Sequence, residues 1–80
     1  MKQDCWIVSY TVYTGDCGTI AFYNKENALK SIKDDFENVL YDLEKMGYKP
    51  YTIEGMDRWV IFVSDTDINY EWELEQSTIE

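Results

Sequence analysis

The chain contains no histidine. That removes the ordinary imidazole acid or base and most zinc chemistry. Cysteine is nearly absent too. Cys5 and Cys17 are the only two, too few for a disulfide framework. A hairpin with its tip at Gly15-Asp16 places Cys17 opposite Thr14 and far from Cys5, so both are expected as free thiols. Gly15 and Gly18 read as turn residues, and no glycine-rich phosphate loop is present. No apolar run approaches a membrane span; Trp59–Val63 ends after five residues. Met1-Lys2-Gln3-Asp4 leads straight into a strand-like pattern without a signal-peptide pattern, so a cytosolic location is expected. Positive charge is the last scarcity. Seven basic residues face sixteen acidic ones, a net charge of −9. Such a field repels nucleic acid and anionic membrane and attracts basic surfaces.

What is present is a foldable chain. Eighty residues with a 45% hydrophobic share make one domain, 1–80, and argue against disorder. Its most ordered signal runs from Asn24 to Gly47. Ala28, Leu29, Ile32, Phe36, Val39, Leu40, Leu43 and Met46 recur at three- and four-residue steps and predict one long amphipathic helix. Asn24 suits an N-cap and Gly47 a left-handed C-cap, with Pro50 barring re-entry. On the helix's outer face Glu26, Glu37 and Glu44 are mixed with Lys30, Lys33 and Lys45, the pattern of a solvated surface. Tyr41 projects nearly opposite the stripe.

The flanking segments read as strands. Cys5–Tyr13 alternates Trp6, Val8, Tyr10 and Val12 with Cys5, Ile7, Ser9, Thr11 and Tyr13, so one face is strongly apolar. Thr19–Tyr23 returns after turn chemistry at residues 14–18. Tyr51–Glu54 forms a short strand, and Gly55-Met56-Asp57 turns the chain. Arg58–Ser64 is apolar on both faces, which places it in the middle of the sheet. After Asp65-Thr66-Asp67, the segment Ile68–Gln76 points Ile68, Tyr70, Trp72 and Leu74 one way and Asn69, Glu71, Glu73 and Glu75 the other. Residues 77–80 are expected to fray. The order ββαβββ predicts an α+β two-layer sandwich, one long helix packed on a mostly antiparallel sheet. A helix about 10–12 Å wide covers roughly half of a five-stranded sheet with a strand spacing of about 4.8 Å. With three Trp, seven Tyr and three Phe, either the sheet curls or some aromatics form a patch for a partner or a second copy.

Catalytic and metal signals are thin. Asp65-Thr66-Asp67-Ile68-Asn69 resembles the start of a calcium loop, but Tyr70 stands where the loop glycine belongs and Gln76 where its bidentate Glu belongs. No metal, no cofactor and no enzymatic activity are expected. The informative feature is where the acid lies. From Asp65 onward there are Asp65, Asp67, Glu71, Glu73, Glu75 and Glu80 and no Lys or Arg. Glu71, Glu73 and Glu75 share one strand face at spacings of about 6.6–6.8 Å. Two explanations stand side by side. Charge on an edge strand blocks aggregation; a regular carboxylate row also imitates the regular negative charge of duplex DNA. The candidate partner-binding residues are Asp65, Asp67, Asn69, Glu71, Glu73 and Glu75.

In size, acidity, tyrosine content and element pattern, the whole chain resembles the small phage-encoded inhibitors of bacterial defence, the anti-CRISPR proteins and other DNA mimics. Those proteins share no motif, and no residue is carried over from them. The resemblance implies a stoichiometric inhibitor in the cytoplasm of a bacterial host. Its acidic surface would occupy the basic groove of a nucleic-acid-handling effector, without touching nucleic acid or membrane. The alternative is a non-enzymatic protein-interaction module or a homodimeric assembly module joined through sheet aromatics.

Overall fold

A computed structural model describes residues 3–79. The elements in chain order are β1 (Gln3–Val12), β2 (Cys17–Phe22), α1 (Lys25–Lys45), β3 (Tyr51–Glu54), β4 (Arg58–Phe62) and β5 (Asn69–Ile79). The five strands form one sheet in the order β2-β1-β5-β4-β3. Every pairing is antiparallel. The chain is therefore α+β, with the predicted element order. Among the described residues no helix is long and apolar enough to cross a membrane.

The helix starts and stops where its caps dictate. Asn24 Oδ1 accepts from the backbone N–H of Glu26 at 2.7 Å and of Asn27 at 3.3 Å. These are two of the donors a helix start leaves unpaired. At the other end Gly47 takes φ +94°. Its N–H donates to the carbonyl of Glu44, and the Tyr48 N–H donates back to that of Leu43, both at 3.0 Å. This paired closure needs a left-handed residue, which glycine supplies without strain.

Twenty-one residues span about 31 Å at 1.5 Å each. The edge strands of a five-stranded sheet lie about 19 Å apart. That length lets α1 carry the chain from β2, one edge, to β3, the other. Ala28, Ile32, Phe36 and Leu43 are buried with Val8, Ile61, Val63 and Trp72 in one cluster. The Phe36 and Trp72 rings meet at 5.8 Å. Val39 and Leu40 pack at its margin. Met46 belongs to the sequence stripe but is 69% exposed, because it is already the C-cap and the chain is leaving the sheet there.

Four sequence expectations need correction. The middle strand is β5, not the segment Arg58–Ser64. In a sheet with one uncovered face, a central strand can be polar on its open side, so centrality and two-sided apolarity are separate properties. The doubly apolar β4 lies one place from the edge, between β5 and β3. Second, Cys17 pairs with Thr11, not Thr14. Residues 13–16 form the whole connection, closed by Gly15 N–H to Val12 O at 2.9 Å and Val12 N–H to Asp16 O at 2.8 Å. Third, Ser77, Thr78 and Ile79 do not fray: they pair with Cys5, Asp4 and Gln3 of β1. The same expectation for Glu80 lies outside the described residues. Fourth, since β5 is paired on both sides, edge protection does not account for its glutamates.

Two outcomes follow from the packing. Phe36 is 7% exposed beneath the helix, so Phe36→Ala is expected to cost about 3–5 kcal/mol. In a domain of this size that lowers Tm by more than about 10 °C; a melt that barely moves would remove the helix stripe from the core. The thiols should separate kinetically. Cys17 is exposed and Cys5 is buried. A thiol reagent should label one cysteine in the native protein and the second only on unfolding, without prior reduction. Two fast native labels would contradict the burial of Cys5.

Candidate partner-binding face

Cross-strand partners lie on the same side of a sheet. One side carries Val8, Trp72 and Ile61 into the helix core. The other side carries Glu71, Glu73 and Glu75 on β5, flanked by Thr11, Ser9 and Ile7 on β1. On β4 the neighbours of Glu71 and Glu73 are Val60 and Arg58. Asn69 opens the row opposite Phe62. Helix α1 lies on the far side, so this face is open. Alternate residues on a strand repeat at about 6.7 Å, so the three carboxylates extend over about 13 Å of rigid backbone.

The row is not free of positive charge. Arg58 Nε lies 2.7 Å from Glu71 Oε1. The sequence shows no cation within the acidic segment; the cation arrives from the neighbouring strand. Arg58 sits directly opposite Glu73 and reaches diagonally to Glu71, a separation long side chains span. Glu71 is thereby partly covered, at 26% side-chain exposure, while Arg58 stays 58% exposed. Glu73 and Glu75 are exposed and have no ion-pair partner among the described residues. With Ser9, Asp57 and Arg58 they line a groove of about 310 Å³.

Asp65 and Asp67 stand apart from the row. They occupy the β4–β5 turn at one end of the sheet and are exposed. Asp65 has φ +63°, a conformation aspartate tolerates better than most residues. The turn is closed by Val63 N–H to Ile68 O at 3.1 Å. The Thr66 hydroxyl donates to Val63 O at 2.8 Å and accepts from Ile68 N–H at 3.1 Å. Thr66 is thus used in holding the turn. Among the described residues no group of three or more acidic or thiol side chains converges in a way that could hold a metal ion. Of the six predicted residues, the fold brings Asn69, Glu71, Glu73 and Glu75 into one line and leaves the two aspartates beyond its end.

Sequence reasoning missed the rest of this face. Tyr51 and Ile53 on edge strand β3 pair with Phe62 and Val60 and so lie on the open side. The Tyr51 and Phe62 rings stack at 5.4 Å. Tyr51 remains 57% exposed and Ile53 56%. The open face is therefore acidic along its centre and apolar toward one edge. The alternation of Tyr51 and Ile53 with Thr52 and Glu54 was the available signal, but it needed the register with β4 to be assigned to a face.

The arrangement can bind cations at several points and bury an apolar edge. Compared with known proteins, the chain matches no family model, no curated protein and no solved structure.

The Arg58–Glu71 pair is partly solvated, and such pairs contribute about 0–1 kcal/mol. Arg58→Gln is expected to shift Tm by no more than about 8 °C. Differential scanning calorimetry checks this; unfolding at room temperature would mean that Arg58 holds β4 against β5.

Proposed function

We propose that this protein is a non-enzymatic, acidic binding protein that inhibits a nucleic-acid-handling effector by occupying its basic groove, in the manner of anti-CRISPR proteins and other DNA mimics in a bacterial cytoplasm. One observation carries the reading. A line of glutamates runs along the central strand of a sheet face that the helix leaves open. A central strand has no free edge to protect, and polar residues without charge would serve solubility equally. Carboxylates on a rigid, uncovered support suit a partner rich in Lys and Arg. The net charge of −9 supplies the long-range attraction that speeds encounter with such a partner.

A second reading is favoured by the apolar edge of the same face. Tyr51 and Ile53 are exposed on a strand whose outer side is unpaired. A second copy joined there would make a homodimeric assembly module. The net charge opposes it, since two copies bring like fields together.

The deciding experiment is binding to a basic nucleic-acid-handling complex as salt rises, with two triple variants. Exposed charges are screened beyond about 8 Å at physiological salt, so wild-type affinity should fall steeply with salt. Changing Glu71, Glu73 and Glu75 to Lys should abolish binding, because a repulsive row faces the groove. Changing Glu26, Glu37 and Glu44 on the helix to Lys alters net charge equally and should preserve most of it. The E71K change also opposes Arg58, so a Gln triple at the same three positions guards against misfolding and should weaken binding too. Equal losses in the strand and helix variants would reduce the effect to net charge. A free protein that scatters light as a dimer and binds no basic partner would favour the second reading.

A further inference from the structure

The helix side of the sheet holds a cavity with a different character from the open face. It lies between α1 and strands β1 and β5 and has a volume of about 220 Å³. Tyr10, Tyr70 and Trp72 form its aromatic wall, and Asp35, Asn38 and Asp42 line it from the helix. Tyr10 and Trp72 are direct cross-strand partners. The Tyr70 and Trp72 rings lie nearly parallel, at 14° with centroids 6.3 Å apart. Space for the Tyr10 ring comes from Gly18 on β2: a Cβ there would sit 2.6 Å from the Tyr10 hydroxyl oxygen.

The charge around this cavity is one-sided. Asp35 and Asp42 are two helical turns apart and so lie on the same flank of α1. Neither has an ion-pair partner among the described residues. The nearby helix cation Lys45 is over the Tyr41 ring, at 6.0 Å. Asp42 and Tyr70 line the same cavity, and burial, with Tyr13 and Asp42 nearby, pushes the Tyr70 phenol above its ordinary range. An aromatic surface with carboxylates at its rim attracts an organic cation through both ring faces and charge.

We infer that this cavity is a receptor for a single arginine side chain presented by a protein partner, its guanidinium held against the partly exposed rings of Tyr10 and Tyr70, with buried Trp72 as the floor, and paired with Asp35 and Asp42. Size and shape select this occupant. Pockets for drug-sized ligands run from about 300 to 1,000 Å³, so about 220 Å³ suits one long side chain. A planar guanidinium stacks on aromatic rings and engages carboxylates through several donors, which a lysine ammonium does not match. The site does not depend on the glutamate row, which lies on the opposite face of the sheet, and either can fail without the other.

The test is a titration of the ¹⁵N-labelled protein with the capped peptide acetyl-Gly-Arg-Gly-amide, followed by NMR. The comparators are the same peptide with citrulline, a neutral isostere, and free L-arginine. The arginine peptide should shift the amides of Asp35, Asp42 and Tyr70 and the Trp72 indole, with a Kd in the millimolar range that suits one side chain. The citrulline peptide should bind at least about tenfold more weakly. The Asp35→Asn/Asp42→Asn variant should lose about tenfold for the arginine peptide, keep its weak response to citrulline and retain its circular dichroism melt. Equal binding of arginine and citrulline peptides overturns the proposal, as does an unchanged affinity in the double variant. Shifts confined to Glu73 and Glu75 would move the arginine to the open face and overturn it too. Tighter binding of free L-arginine than of the capped peptide would replace the partner side chain with a metabolite.

Discussion

The β1–β5 ladder is the interaction on which the rest of the structure depends. It joins the first strand to the last through ten register pairs, from Gln3 with Ile79 to Val12 with Tyr70. Without it the chain is a hairpin with a helix and a separate β3–β4–β5 meander, neither with enough sheet to bury the helix stripe. Its register also decides which side of β5 meets the helix. A slip of one residue would turn Glu71, Glu73 and Glu75 under α1 and Trp72 out to solvent. Burying unpaired carboxylates costs several kcal/mol each. Exposing Trp72 forfeits its contact with Phe36 and the burial of a large ring. The alternation on β5 therefore holds the register from both sides, through what it buries and through what it cannot bury.

The local parts of this architecture were legible in the sequence because each has a local cause. The 3.6-residue stripe, Asn24 and Gly47 define the helix, and alternation defines every strand to within a few residues. What escaped was non-local. Strand order is a matter of which edges find each other, and nothing within Arg58–Ser64 says that β5, not β4, takes the centre. The cation beside Glu71 was invisible for the same reason: Arg58 is thirteen positions earlier in the chain and meets Glu71 only across β4 and β5. At the candidate site, alternation correctly put Glu71, Glu73 and Glu75 on one face. The apolar edge of Tyr51 and Ile53 required the β3–β4 register. Asp35 and Asp42 gave a weak signal, two turns apart beside Val39, and were overshadowed by the more numerous glutamates on the helix's outer side.

The one-helix design explains why the sheet has two contrasting faces. A single helix is too narrow to cover five strands, so its long path from edge to edge serves one side only. The uncovered side must then be compatible with water by composition. Ser9, Thr11 and the glutamates achieve this along the centre. Toward β3 the Tyr51 ring instead stacks on that of Phe62 and Ile53 lies opposite Val60, leaving apolar surface at the rim. The face is thus divided, with charge in the middle and aromatic area at one side.

The energetic cost of the glutamate row limits how it can be explained. Two like charges about 6.7 Å apart repel by about 0.6 kcal/mol in water, and less once salt screens them. Two neighbouring contacts along the row therefore cost on the order of 1 kcal/mol, and the Arg58–Glu71 pair offsets part of that. A cost this small is easily tolerated by folding, but it is a cost, and threonine at the same positions would remove it while favouring the strand. Neither edge protection, excluded by the central place of β5, nor strand propensity selects glutamate here. Beyond keeping the open face compatible with water, the row projects a negative field from it.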